Sequence, residues 1–252
     1  MFDSRTLNGK TALVTGGGTG IGLAIARGLA NAGASVAIAG RRTDVLDSAT
    51  ASSGGALVGF EYDVTHVDDA SSLLSRIASK LGRVNILVNN AGIHLKKSAE
   101  RTGVEEFREI LNTHMLGAHA LSAASIPGMR EHGGGTIIFI ASMASLIGIP
   151  NVFAYSAAKT GYLGMVRALA VENGSYGITV NAIAPGWIDS EMMRKALDSD
   201  PDRKKKILMR TPMEKFGQPE DVANAAVFLA SPLAAFITGS CLPVDGGAAI
   251  GF

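Results

Sequence analysis

Tyr155 and Lys159 stand four residues apart in the stretch Tyr155-Ser-Ala-Ala-Lys159. On a helix that spacing puts both side chains on one face. A free phenol, with a pKa of about 10, is a poor base at neutral pH. An ammonium beside it favours the phenolate and lowers that value. Such a Tyr can exchange a proton with a hydroxyl or carbonyl oxygen while a separate carrier moves hydride at the carbon. Ser142, just after the apolar run Thr136 to Ile140, can hydrogen-bond the same oxygen. The chemistry needs neither flavin nor metal. Taken alone, the Tyr–Lys pair more readily fits a packed Tyr beside a solvated Lys, so it needs a second signal.

That signal is Thr15-Gly16-Gly17-Gly18-Thr19-Gly20-Ile21-Gly22, set between an apolar strand and a helical pattern. Glycines there permit a tight turn and close approach of the backbone to a pyrophosphate. The helix N-terminus adds free N–H groups and a partial positive charge. The strand–turn–helix context makes Gly16, Gly18, Thr19, Gly20, Ile21 and Gly22 candidate contacts for a dinucleotide. No Gly-Lys-Ser/Thr follows, which disfavours a P-loop NTPase. The second strand ends in Ala39-Gly40-Arg41-Arg42, where a site for NAD would place an acid to accept from the ribose hydroxyls. Arg41 or Arg42 could instead pair with a 2′-phosphate. NADP(H) is therefore expected rather than NAD(H), although both Arg also fit plain surface solvation.

The elements that must position these residues follow from periodicity. Short β-branched apolar runs at Thr11–Val14, Val36–Ala39, Ala56–Tyr62, Ile86–Val88, Thr136–Ile140 and Ile178–Ile183 read as strands. Cys241–Val244 reads as a closing edge strand, because its Pro cannot serve a central one. Helical patterns fall between them at 21–31, 44–51, 67–81, 104–129, 155–172 and 219–229. Strands apolar on both faces, alternating with helices, imply a mainly parallel sheet of seven strands covered on both sides. This is a doubly wound α/β Rossmann fold, with ligands along the rim of C-terminal strand ends. No linker or repeat interrupts the chain, so residues 1–252 are expected to form a single domain. The irregular stretch at about 186–217 is a candidate lid; its basic run at 203–206 reads as a solvated helix face.

Composition narrows the function classes. The 252 residues carry 23 Lys plus Arg against 22 Asp plus Glu, a net charge of +1 that argues against a nucleic-acid partner. The lone Cys241 excludes an internal disulfide and a Cys-cluster zinc site. His66, His94, His119 and His132 show no metal-ligand spacing, so no metal is expected. The first ten residues carry Asp3, Arg5 and Lys10 and no apolar core of a secretory signal. With no run long enough to span a bilayer, a soluble cytoplasmic protein without membrane partners is expected.

At this point the sequence resembles the short-chain dehydrogenase/reductase family in its compact single-domain form, from about Gly9 to Gly247. The likeness rests on the glycine turn, Asp63-Val64, Asn89-Asn90-Ala91-Gly92, Ser142, Tyr155 with Lys159, Pro185-Gly186 with Ser190, Gln218-Pro-Glu-Asp221 and Asp245-Gly246-Gly247. The resemblance implies an enzyme, an NAD(P)-dependent alcohol dehydrogenase or ketone reductase, with Ser142, Tyr155 and Lys159 catalytic. It implies that Asp63 and Val64 hold the adenine end, and that Asn90, Ala91 and Gly92 lie along the cofactor. Pro185, Gly186, Ile188 and Ser190 would hold the nicotinamide end, while Lys159 would also bind its ribose. A homotetramer is implied too, and the apolar stretch Ala248 to Phe252 fits burial at such an interface.

The family usually has an Asn where this sequence, in the register of Gly117, has His114. There the backbone carbonyl holds a water bonded to the Lys. His114 either completes that relay through its own carbonyl or is a tolerated substitution with no proton role. Substrate contacts are expected from His94, Ala144, Ile149, Phe153, Trp187, Met192 and Met193 near the rim. The segment Arg210-Thr-Pro-Met-Glu-Lys-Phe-Gly217 is similar to gluconate 5-dehydrogenases and related sugar or polyol enzymes. A sugar, polyol or sugar-acid substrate is therefore slightly favoured over the 3-oxoacyl-[acyl-carrier-protein] of a related reductase. A catalytically silent NADP-binding sensor is the remote alternative.

Overall fold

The computed structural model describes residues 3, 5–189, 193 and 201–251. Seven strands form one sheet in the order β3-β2-β1-β4-β5-β6-β7. They are β1 (Thr11–Thr15), β2 (Ser35–Gly40), β3 (Leu57–Glu61), β4 (Ile86–Asn89), β5 (Gly135–Ile140), β6 (Ile178–Pro185) and β7 (Cys241–Val244). Every neighbouring pair is parallel, β7 included. Pro243 sits in β7, the edge strand, where its missing N–H costs no ladder bond.

Alternation along the strands divides the apolar residues between the two faces. Val14, Val88 and Ile138 point into a layer with α1 (Gly20–Asn31) and the last helix Pro219–Ala230. Leu13, Leu87 and Ile137 point to the other side, against α3 (Ala70–Leu81), α5 (Gly117–Glu131) and α6 (Phe153–Asn173). Burial on both faces accounts for the unbroken apolar runs. The short helix α2 (Thr43–Ser52) covers the β2–β3 end, with Leu46 and Ala49 buried.

One helix departs from the sequence reading. The helix expected over 104–129 is α4 (Val104–Leu111), a wide π turn over Asn112–Leu116, and then α5. Single π turns inside α-helices concentrate at functional sites. Within the stretch at 186–217, Pro201–Arg210 is a helix that exposes Lys204, Lys205 and Lys206, as a solvated helix face should, and buries Ile207.

Candidate functional site

The strand order reverses between β1 and β4, because successive connections leave β1 in opposite directions along the sheet. Loops after these two strands therefore diverge and leave a crevice. A cavity of about 810 Å³ lies there. The turn after β1 forms its floor. Gly16 adopts φ +63°, open to glycine at little cost. Gly22 allows the start of α1 to press on that turn, since a Cβ there would lie 2.3 Å from the Gly16 carbonyl oxygen. Thr15 and Asn90 lock the turn to β4. The Thr15 hydroxyl accepts from the backbone N–H groups of Asn90 and Ala91, both at 3.0 Å. The Asn90 side chain donates to the Thr15 carbonyl at 2.8 Å.

Gly16, Gly18, Thr19, Gly20, Ile21 and Gly22 all face this cavity, as do Asn90, Ala91, Gly92, Pro185 and Gly186. Arg41 and Arg42 line its β2 end with Asp63 and Val64 from the segment after β3. No acid stands at the end of β2. Instead Arg41 reaches toward Asp63, Nη1 to Oδ2 3.9 Å, with two-thirds of its side chain exposed. Burial alone would raise the Asp63 pKa. Hydrogen bonds from the Thr65 N–H and hydroxyl, then the Arg41 charge, outweigh it and hold the carboxyl below its usual value. The group stays anionic beside Arg41.

The other end of the cavity gathers Ser142, Tyr155, Lys159 and His114. Ser142 caps the short turn Met143–Ser145, its hydroxyl accepting from the Ala144 N–H at 3.1 Å. Its hydroxyl also acts on Tyr155, where it favours the phenolate. Burial acts more strongly in the opposite direction, so the Tyr155 pKa is raised above its ordinary value. The sequence predicts a Tyr155 pKa lowered by Lys159. The reason for the difference is burial of the phenol, and Lys159 turns its Nζ to the Ile140 carbonyl at 2.6 Å. Burial without a carboxylate neighbour pushes the Lys159 pKa down to about 7. Tyr155 is therefore a neutral phenol at neutral pH, suited to donating a proton.

His114 lies in the π turn and is buried. Its Nε2 is 2.9 Å from the Ile93 carbonyl and 3.3 Å from the Ile93 N–H. One nitrogen cannot serve both, and the shorter contact assigns the proton to Nε2, donating to the carbonyl. Nδ1 is then a buried acceptor without a partner among the described residues. Burial first, then the Lys159 charge, lowers the His114 pKa to about 3, so the ring is neutral. The ring also explains Gly92, where a Cβ would fall 2.3 Å from His114 Cε1. The His114 backbone carbonyl accepts from the Tyr162 hydroxyl at 3.1 Å.

The residues expected to touch substrate do not share one wall. His94 lines the main cavity, its ring centroid 4.9 Å from that of Tyr155. Ala144, Ile149 and Phe153 line a shallower groove of about 550 Å³ beside it. Trp187 lines neither, and its carbonyl accepts from the Gly217 N–H at 3.0 Å. Ile188 also stays out of the cavity, its side chain buried in the α1-side layer. Ser190 and Met192 lie outside the described residues, and so does Phe252. The sequence reading passed over Tyr62, Thr113 and Tyr162, the first two of which line the cavity. Tyr162 had a legible signal: the spacing 155, 159, 162 puts it on the Tyr155–Lys159 face.

Among the described residues no helix is long and apolar enough to cross a membrane, and no group of three or more His, Cys, Asp or Glu could hold a metal ion. A family model described as enoyl-(acyl carrier protein) reductase matches residues 16–249. The chain is 37% identical over 250 residues to 2-(S)-hydroxypropyl-CoM dehydrogenase 3 of Xanthobacter autotrophicus, covering 97% of this chain and 98% of the relative. It is 38% identical over 250 residues to a 3-oxoacyl-[acyl-carrier-protein] reductase of Vibrio harveyi, covering 96% and 98%. A crystal structure of gluconate 5-dehydrogenase from Burkholderia cenocepacia, in complex with NADP and tartrate, superposes with a TM-score of 0.91. It is 32% identical, and the match spans 98% of this chain and 97% of that one. With this likeness along nearly its whole length, and a glycine turn facing a Ser, a Tyr and a Lys across one cavity, the chain belongs to the short-chain dehydrogenase/reductase family of oxidoreductases.

Proposed function

We propose that this enzyme interconverts a ketone and a secondary alcohol with NADP(H), and that Ser142, Tyr155 and Lys159 carry the proton chemistry. The observation that carries this reading is the meeting of Ser142, Tyr155 and Lys159 in the cavity that the glycine turn also lines. The turn, the α1 N-terminus, and Arg41 and Arg42 at a strand end that carries no acid suit a dinucleotide with a 2′-phosphate. When bound, NADP(H) supplies or accepts the hydride. Ser142 orients the substrate oxygen, and Tyr155 gives it a proton in the reductive direction. Lys159 and His114 lie behind them, where Lys159 holds a buried positive charge near the phenol. Ile188 would reach the nicotinamide end through its backbone, as its side chain is buried.

We assign a sugar, polyol or sugar acid as the substrate class, supported by the likeness to a gluconate 5-dehydrogenase. The likeness to a 3-oxoacyl reductase keeps acyl thioesters as the second reading. The segment 186–217 is proposed as a lid and the assembly as a homotetramer. Ile250 fits such an assembly by its exposure, whereas Ala248 is buried within the chain itself. The test is a panel of sugars, keto acids, simple ketones and 3-oxoacyl thioesters assayed with NADPH and with NADH. Turnover of sugar-derived ketones with NADPH is expected. Turnover with NADH alone would refute the cofactor assignment, and no turnover of any ketone would refute the reaction.

A further inference from the structure

Lys159 presents an electrostatic problem that the proposed reaction alone does not resolve. It is 3% exposed, and burial disfavours its charge. The groups around it are Tyr155 and Tyr162 on its own helix, the neutral His114 in the π turn, His94 beyond Tyr155, and the Ile140 carbonyl of β5. None is an acid. The Ile140 carbonyl takes one of the three ammonium protons. Besides the cavity that Lys159 lines, what faces the charge is aromatic. Nζ lies 4.7 Å from the centre of the Tyr162 ring and 5.7 Å from that of Tyr155. Both distances are within the range in which a ring face attracts a cation, and that attraction is strongest where water is excluded.

The nearer ring is held in place. Tyr162 is buried to 1% exposure, its ring centroid 5.1 Å from that of Phe139. Its hydroxyl reaches out of α6 to the His114 carbonyl, which the π turn directs toward that helix. A buried hydroxyl needs such a partner, and this bond fixes the ring plane. We propose that Tyr162 is a positioning residue for Lys159: its ring, moored through its hydroxyl to the His114 carbonyl, presents the face that keeps the Lys159 ammonium in place beside Tyr155. The π turn and the aromatic three residues after Lys159 then form one device. This inference rests on the reading of Lys159 as part of the reactive site.

The test follows Lys159 directly. The ¹³Cε resonance of Lys159, assigned by its disappearance in Lys159→Met, is titrated from pH 5 to 10 in wild type, Tyr162→Phe and Tyr162→Leu. Loss of the ring face disfavours the ammonium, so Tyr162→Leu should lower the midpoint by about one pH unit. Tyr162→Phe, which keeps the face, should move it by less than about half a unit. The alkaline limb of the NADPH-dependent ketone reduction profile should move by the same amounts. An unmoved midpoint in Tyr162→Leu overturns the proposal, as do equal shifts in the two variants. Should the leucine variant fail to fold, trifluorinated phenylalanine at 162 keeps the shape and weakens the ring face. It must then titrate lower than Tyr162→Phe for the proposal to stand. The titration needs no turnover. The expected shifts in a protein that reduces no ketone would support the positioning role and refute the proposed reaction instead.

Discussion

The two ends of the cavity are built on different physical terms. The β1–β3 end is exposed and made largely of backbone: a glycine turn, a helix N-terminus and an Arg with two-thirds of its side chain in solvent. Asp63 there remains charged, and Tyr62, pushed up to about 12 mainly by burial, remains a neutral phenol. The β4–β6 end is buried and made of side chains, and burial sets the state of each. Tyr155 is raised, Lys159 lowered to about 7 and His114 lowered to about 3. Binding a large anionic ligand calls for shape and partial charge that keep their value in water. Moving a proton calls for groups whose charged and neutral forms lie close in energy, which burial provides.

If the division is right, the largest effect comes from one atom at the buried end. Tyr155→Phe should lower turnover by roughly 10²–10⁴-fold. Dinucleotide affinity, read by fluorescence titration, should change less than about threefold. A parallel loss of affinity would show that the two ends are not separable.

His114 provides the next test, of stability rather than rate. Its folded pKa of about 3 lies below the ordinary value of 6.5. Below pH 6.5 the unfolded chain takes up a proton that the folded chain refuses. The contribution of the neutral ring is thus complete above pH 6.5 and is lost as pH falls toward 3. Asn does not titrate there. Between pH 6 and 4 the wild type should lose up to about 1.4 kcal/mol per pH unit more than His114→Asn. Urea unfolding at stepped pH reads this difference. Parallel slopes would mean that the ring takes up its proton inside the fold.

How far the sequence could be read follows the same division. The glycine turn, the two Arg and the strands were legible because local chain geometry and burial on two faces dictate residue type directly. At the buried end the residue types were legible, and their protonation was not. The 155/159 spacing puts Tyr and Lys on one face, yet nothing local says that Nζ turns to Ile140. The π turn at 112–116 was invisible because its sequence keeps an uninterrupted helical pattern. Its cause is tertiary: the His114 ring must fit against Gly92 and its carbonyl must meet Tyr162, which lie 22 and 48 residues away. Ala144, Ile149 and Trp187 lie near the rim in sequence. The rim has two sides, and nearness does not say which one a side chain faces.

The smallest effect belongs to the exposed end. Arg41 is mostly solvated and already paired at 3.9 Å with Asp63. Water and the carboxylate both weaken what its charge can add to a bound 2′-phosphate. Arg41→Ala should weaken NADPH binding by about fivefold, near 1 kcal/mol, and leave NADH binding unchanged. Turnover at saturating NADPH should stay within about twofold of wild type. Salt sharpens the test, because an exposed pair is screened and a buried one much less so. Raising ionic strength from 0.05 to 0.5 M should shrink the wild-type preference for NADPH over NADH toward that of Arg41→Ala. A preference that survives the substitution but not salt would move cofactor selection from Arg41 to the equally exposed Arg42, and one that survives both would refute selection by either charge.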